Sequence, residues 1–124
     1  MNKRVGMNEK KDTRTPNTVN GAVWIERDGV KYFGPGPYEL LQKVDATGSI
    51  HEAAREMGLS YRKAWMIISR LNKITGRPMV VTRAGGRQGG GSVVTADAQE
   101  LMKKYRQVNT HFARFLSNET KKMN

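Results

Sequence analysis

The sequence predicts a mainly α fold with small β hairpins, and three observations lead there. Residues 48–78 hold two consecutive helical patterns with every boundary marked. A glycine-rich connection between two short β-prone runs follows directly. A long helix with apolar residues near 3.5-residue spacing comes last. Two short helices joined by a tight turn containing glycine, then a hairpin, describe a winged helix-turn-helix with a long C-terminal linker or dimerisation helix.

Taken in order, residues 1–21 are polar and basic, with Lys3, Arg4, Lys10, Lys11 and Arg14. They carry too little apolar surface to offset their ordering entropy and are expected to form a disordered leader. Their charge would still raise non-specific affinity for nucleic acid. Residues 22–33 form two β-prone runs around Asp28-Gly29, a dipeptide suited to a tight hairpin turn. Trp24 is expected to serve packing. Gly34-Pro35-Gly36-Pro37 breaks the strand, and Pro37 is expected as the first residue of a helix. Leu40, Leu41 and Val44 give that helix one apolar stripe before Thr47-Gly48 closes it.

Ser49 followed by Glu52 reads as a capping box. Ala53 and Ala54 leave room for a helix to cross close by, Gly58 supplies a left-handed stop, and Ser60 caps the next helix. That second helix, expected over residues 60–75, ends at Gly76 with Pro78 beyond it. Its inner face should be Ala64, Ile67, Ile68, Leu71 and Ile74. Its outer face carries Arg62, Met66, Ser69 and Lys73, flanked by Lys63, Trp65 and Arg70. Met57 to Ala96 contains seven Lys or Arg and no Asp or Glu. A merely solvated face has no need to exclude carboxylates, whereas one laid against phosphates does.

Two β-prone runs, 79–83 and 92–95, then enclose five glycines around Arg87, as a wing would. A nucleotide-binding loop is not indicated, since no Gly-Lys-Ser/Thr ends the stretch and a strand follows it. Thr95 caps the last helix. Ala98, Leu101, Met102, Tyr105, Val108, Phe112, Phe115 and Leu116 run along that helix, a stripe longer than so small a core needs, and predict a homodimer through paired helices. The expected division is a leader at 1–21, a winged helix-turn-helix at 22–95, a dimerisation helix at 96–117 and a flexible tail at 118–124.

The formal charge of +11 favours nucleic acid or an acidic surface as partner. The chain has no cysteine, hence no disulfide framework and no thiolate metal site. No apolar run is long enough for a membrane span, and the N-terminus lacks the apolar stretch of a secretory signal, so a cytoplasmic location is expected. His51 and His111 lie far apart, and no nucleophile–base pair, carboxylate pair or metal-ligand set appears, so no enzyme, cofactor or metal is expected.

Gly48-Ser49-Ile50, Ala53-Ala54, Gly58, Ser60-Tyr61, Ala64-Trp65, Asn72 and Val81-x-Arg83-Ala84-Gly85-Gly86, running on to Gly89-Gly90-Gly91 and Val94-Thr95, resemble the N-terminal DNA-binding domain of the molybdenum-dependent (ModE-type) transcriptional regulators, themselves similar to LysR-type regulators in this part. The likeness covers about residues 22–108. It implies a homodimer on a palindromic operator in double-stranded DNA. Full-length members carry C-terminal oxyanion-binding modules, and no molybdate-binding module is expected in this chain. Carried over by position, Ser60, Tyr61, Arg62, Lys63, Trp65 and Met66 would lie at the start of the recognition helix, with Arg83 and Arg87 around the wing. Arg62 is the expected guanine reader and Met66 a contact for a thymine methyl. Tyr61 and Trp65 would meet sugar or phosphate, with a partly buried Trp65 as the alternative. Lys63, Arg70, Arg83 and Arg87 would supply phosphate contacts. A non-sequence-specific architectural protein using the same basic face is the competing reading.

Overall fold

A computed structural model describes residues 15–83 and 91–124. The elements, in chain order, are β1 (Ile25–Arg27), β2 (Val30–Phe33), α1 (Pro35–Thr47), α2 (Ile50–Met57), α3 (Tyr61–Thr75), β3 (Val80–Arg83), β4 (Gly91–Val94) and α4 (Ala96–Met123). The chain divides into two units: Ala22–Asn109, and Thr110–Asn124 together with the N-terminal segment through Gly21.

In the larger unit β1 and β2 pair antiparallel around Asp28 (φ 52°) and Gly29 (φ 76°). Positive φ at both central residues is the turn whose twist matches a hairpin, as Asp-Gly predicts. The register slips between Ile25 and Glu26. Trp24 is 42% exposed, and it lies so close over Gly34 that a Cβ there would stand 2.2 Å from the indole.

Helix α1 starts at Pro35, not at Pro37 as the sequence reading has it. Its first internal bond runs from Tyr38 N–H to Gly34 C=O at 3.0 Å. Both prolines therefore fall in the first turn, where a backbone N–H would have no helical partner. Leu40, Leu41 and Val44 are fully buried, and Gly48 closes the helix at φ 72°.

The core gathers Phe33 from β2, that stripe, Ile50, Ala53 and Ala54 of α2, Ala64, Ile68 and Leu71 of α3, Val80 and Val94 of the second hairpin, and Ala98, Met102 and Tyr105 of α4. Phe33 and Tyr105 meet edge to face at 5.3 Å. The Tyr105 hydroxyl donates to the Val23 carbonyl at 3.0 Å, tying the start of the unit to α4. Ile67 and Ile74, expected inside, are only half-buried.

Strands β3 and β4 pair in register from Val80–Val94 to Arg83–Gly91. Two polar side chains fasten this hairpin. Asn72 Oδ1 accepts from Met79 N–H at 2.8 Å, and Thr95 Oγ1 donates to the Pro78 carbonyl at 2.8 Å while capping Ala98 N–H at 3.2 Å.

In the smaller unit the last helix runs on to Met123 instead of ending at residue 117. Its final turns are held by Asn17 N–H and Val19 N–H, which donate to Asn124 Oδ1 and Thr120 Oγ1, and by Asn124 Nδ2, which donates to the Asn17 carbonyl. Residues 17–21, assigned by the sequence reading to a disordered leader, are thus placed along this helix.

Candidate nucleic-acid interface

The connection between α2 and α3 is set by three local devices. Ser49 Oγ accepts from Glu52 N–H at 3.0 Å. Only that half of the expected capping box forms, because the Glu52 carboxylate turns to Arg55 and Ser49 N–H goes to Thr47 Oγ1. Gly58 stops α2 at φ 70° and lets Leu59 N–H reach back to the Ala54 carbonyl at 2.9 Å. Ser60 Oγ then accepts from Lys63 N–H at 3.0 Å and starts α3. Ala53 and Ala54 of α2 and Ala64 of α3 are buried in the core, where small side chains let the elements pack closely.

With Ala64, Ile68 and Leu71 turned inward, Arg62, Lys63, Met66, Ser69, Arg70 and Lys73 stand in solvent. Met66 is 59% exposed, an apolar side chain offered outward among cations. Among the described residues the side chains of Arg62 and Lys63 have no ionic or hydrogen-bonding partner. Glu39 of α1 and Glu52 and Glu56 of α2 are instead paired locally, Lys43 with Glu39 and Glu56, Arg55 with Glu52.

Tyr61 and Trp65 form one constellation rather than two independent contacts. The Trp65 indole N–H donates to the Tyr61 hydroxyl oxygen. That leaves the phenolic proton free to donate outward. Trp65 is half-buried and packed against the core. The sequence reading missed His51: its imidazole stacks on Tyr61 at 3.8 Å between centroids and 7° between planes. A shallow groove of about 170 Å³ beside this stack is lined by Ser49, Ile50, His51, Tyr61, Thr82 and Ser92, so the first turn of α2, the start of α3 and the root of the second hairpin share one surface. No periodicity signals such a contact, since His51 sits ten or more residues from every partner outside its own turn.

Arg70 differs from its neighbours. Its Nη2 donates to the Lys31 carbonyl at 2.9 Å, while Arg27 Nη1 donates to the Ile74 carbonyl at 2.8 Å. The two arginines therefore latch the first hairpin onto the far half of α3, and Arg70 has only its remaining N–H groups for a ligand. Arg83 is exposed at the end of β3. Residues 84–90, with Arg87 and most of the glycine-rich tip, lie outside the described residues. Among the described residues no cluster of His, Asp or Glu could hold a metal ion, and no helix is long and apolar enough to cross a membrane.

A helix-turn-helix with a cationic second helix, followed by a β hairpin, defines a class: the DNA-binding domain of a regulator, built as a winged helix-turn-helix. Residues 38–99 match the model of the bacterial regulatory helix-turn-helix proteins of the lysR family, and the chain belongs to that family. Among curated proteins it is similar to the molybdenum-pterin-binding protein MopB of Rhodobacter capsulatus, 37% identical over 102 residues, which is 82% of this chain and 37% of the relative. It is also similar to the molybdenum transport protein ModE of Azotobacter vinelandii, 35% identical over 68% of this chain and 32% of that one. The DNA-binding transcriptional dual regulator ModE of Escherichia coli K12 is 35% identical over 60% of this chain and 28% of its own length. The chain thus matches about a third of the length of these relatives.

Proposed function

We propose that this chain is a sequence-specific transcriptional regulator that binds a palindromic operator as a homodimer, with the recognition helix (60–75) in the major groove and the Gly-rich wing (84–91) against the backbone. The observation that carries this reading is the outward face of α3: Arg62, Lys63, Met66 and Lys73 exposed, inside a stretch of sequence without a single carboxylate. A major groove admits an α-helix and displays a distinct donor and acceptor pattern for each base pair. Arg62, near the start of α3 and without an intramolecular partner among the described residues, is the base reader. Met66 meets a thymine methyl. Ser60 is spent largely on capping, so its contribution is to hold the first turn in place. Tyr61, Trp65, Lys63, Arg83 and Arg87 address sugar and phosphate, and Arg70 does so only in part. Two-fold symmetry sets inverted half-sites about 10 base pairs apart, or a multiple of that.

Selection of a preferred duplex from random DNA, followed by titration of variants, tests the assignment. Arg62→Ala should cost ~1–3 kcal/mol on the selected operator and relax preference at one base pair, whereas Lys63→Ala should weaken all sequences alike and flatten the salt dependence. Equal losses on operator and random DNA for Arg62→Ala would remove the base-reading role.

A further inference from the structure

The heptad spacing of α4 places Leu101, Tyr105, Val108, Phe112 and Phe115 at alternating steps of four and three, the seam of a paired helix. Tyr105 is already buried in its own unit. Phe112 is also occupied, though by a different kind of neighbour. Gly21 lies flat against it: a Cβ added there would stand 3.2 Å from Phe112 Cζ. Phe115, stacked on Phe112 at 6.3 Å and 17°, remains 55% exposed.

Gly21 ends a short segment outside helix and strand that is docked with specific geometry. Asn124 acts as a peptide mimic, its Oδ1 accepting from Asn17 N–H at 2.8 Å and its Nδ2 donating to the Asn17 carbonyl at 2.9 Å. Four residues earlier on the helix, Thr120 Oγ1 accepts from Val19 N–H at 2.9 Å and donates back to the Val19 carbonyl at 3.4 Å. The spacing explains the match. Two residues of extended chain advance about 6.6 Å, and four residues of helix about 6 Å. Alternate backbone units of the segment therefore meet successive turns of α4, running antiparallel to it.

We propose that residues 17–21 are a strap that competes with a second copy of this chain for the distal seam of α4. Seated, the strap covers the Phe112 ring that helix pairing needs. Released, it leaves Phe112 and Phe115 adjacent and bare. The strap thus sets the threshold concentration for pairing, and through it for binding a two-fold operator. This inference rests on the homodimer proposed above. Because both protomers must release a strap, the fraction of competent chain enters the dimer equilibrium twice.

Sedimentation equilibrium on the full chain tests it. Thr120→Val with Asn124→Ala removes the ladder without touching Phe112, and should lower the dimer dissociation constant about tenfold to a hundredfold, the squared effect of losing about one net hydrogen bond or more per protomer. An unchanged or raised constant overturns the strap while leaving the dimer standing. As a second measure, Asn17→Cys with Asn124→Cys adds the chain's only thiols. Bridging them with a short bifunctional maleimide should hold the chain monomeric at concentrations where the unbridged form pairs, and equal pairing of both forms counts against the strap. If wild type and every variant stay monomeric throughout, the homodimer and the strap fall together.

Discussion

Helices α3 and α4 are both amphipathic and both capped by a hydroxyl, yet their charges are arranged in opposite ways. Around α3 the cations stand without carboxylates, and among the described residues those of its first turn have no ionic or hydrogen-bonding partner. Along α4 both signs occur, with Asp97, Glu100 and Glu119 against six Lys or Arg, and pairs form: Lys122 with Glu119, and Asp97 with Arg77 of the loop after α3. A surface that only needs water mixes signs, because mixing limits self-repulsion. The unmixed helix is therefore the one to which the proposed function assigns an external anion. The apolar sides differ too: that of α3 is consumed within one core, whereas that of α4 continues after Tyr105 into aromatic residues that are half-exposed.

The largest expected effect separates those two apolar sides. Leu71→Ala, at a fully buried position of α3, should destabilise the protein by ~2–5 kcal/mol. Phe115→Ala, removing a larger side chain from α4, should leave monomer stability within about 0.5 kcal/mol, because the ring is mostly in solvent already. Urea unfolding at a concentration where the chain is monomeric measures both. A Phe115→Ala cost as large as that of Leu71→Ala would show that α4 is packed as fully as α3.

The caps allow a finer contrast. Ser60 Oγ serves one backbone N–H, so Ser60→Ala should cost about 1 kcal/mol within the usual range of ~0.5–2 for a lost cap. Thr95 serves Ala98 N–H and also reaches the Pro78 and Met79 carbonyls at 2.8 and 3.3 Å. Thr95→Ala should therefore cost more than Ser60→Ala in the same assay, since it uncouples the hairpin from α4 as well as uncapping the helix. Equal costs would mean that the bonds to the loop add nothing.

What the sequence made legible follows from how local each feature is. Gly48, Gly58 and Gly76 as left-handed stops, Ser49 and Ser60 as caps, and Asp28-Gly29 as a turn all act within a few residues, and all appear as expected. The inner faces of α1 and α3 were readable because a 3.6-residue period is imposed by a single core. Contacts between distant segments were not readable. Arg70 looks in sequence like any other cation of the basic face, and only the fold brings the Lys31 carbonyl to it. His51 looks like an idle helix residue until Tyr61 stacks on it. The strap was hidden for the same reason, since Asn17 and Asn124 are ordinary polar residues whose complementarity exists only when an extended segment lies along a helix.

The smallest effect concerns pH and acts on α4 rather than α3. Burial, with a lesser contribution from the neighbouring Tyr38, raises the pKa of the Tyr105 phenol above its ordinary value. The hydroxyl donates to the Val23 carbonyl, a bond that only the protonated form can make. In the unfolded chain the group ionises near about 10. Between that value and the raised folded one, the unfolded state releases a proton that the folded state keeps. The contribution of Tyr105 is therefore complete below the unfolded pKa and is lost as pH rises through the folded one. Unfolding free energy should decline on the alkaline side, and Tyr105→Phe should flatten that decline at the cost of the hydrogen bond to Val23. If the alkaline slope were the same in both proteins, the decline would have to come from another group, and Tyr105 would anchor α4 through packing alone.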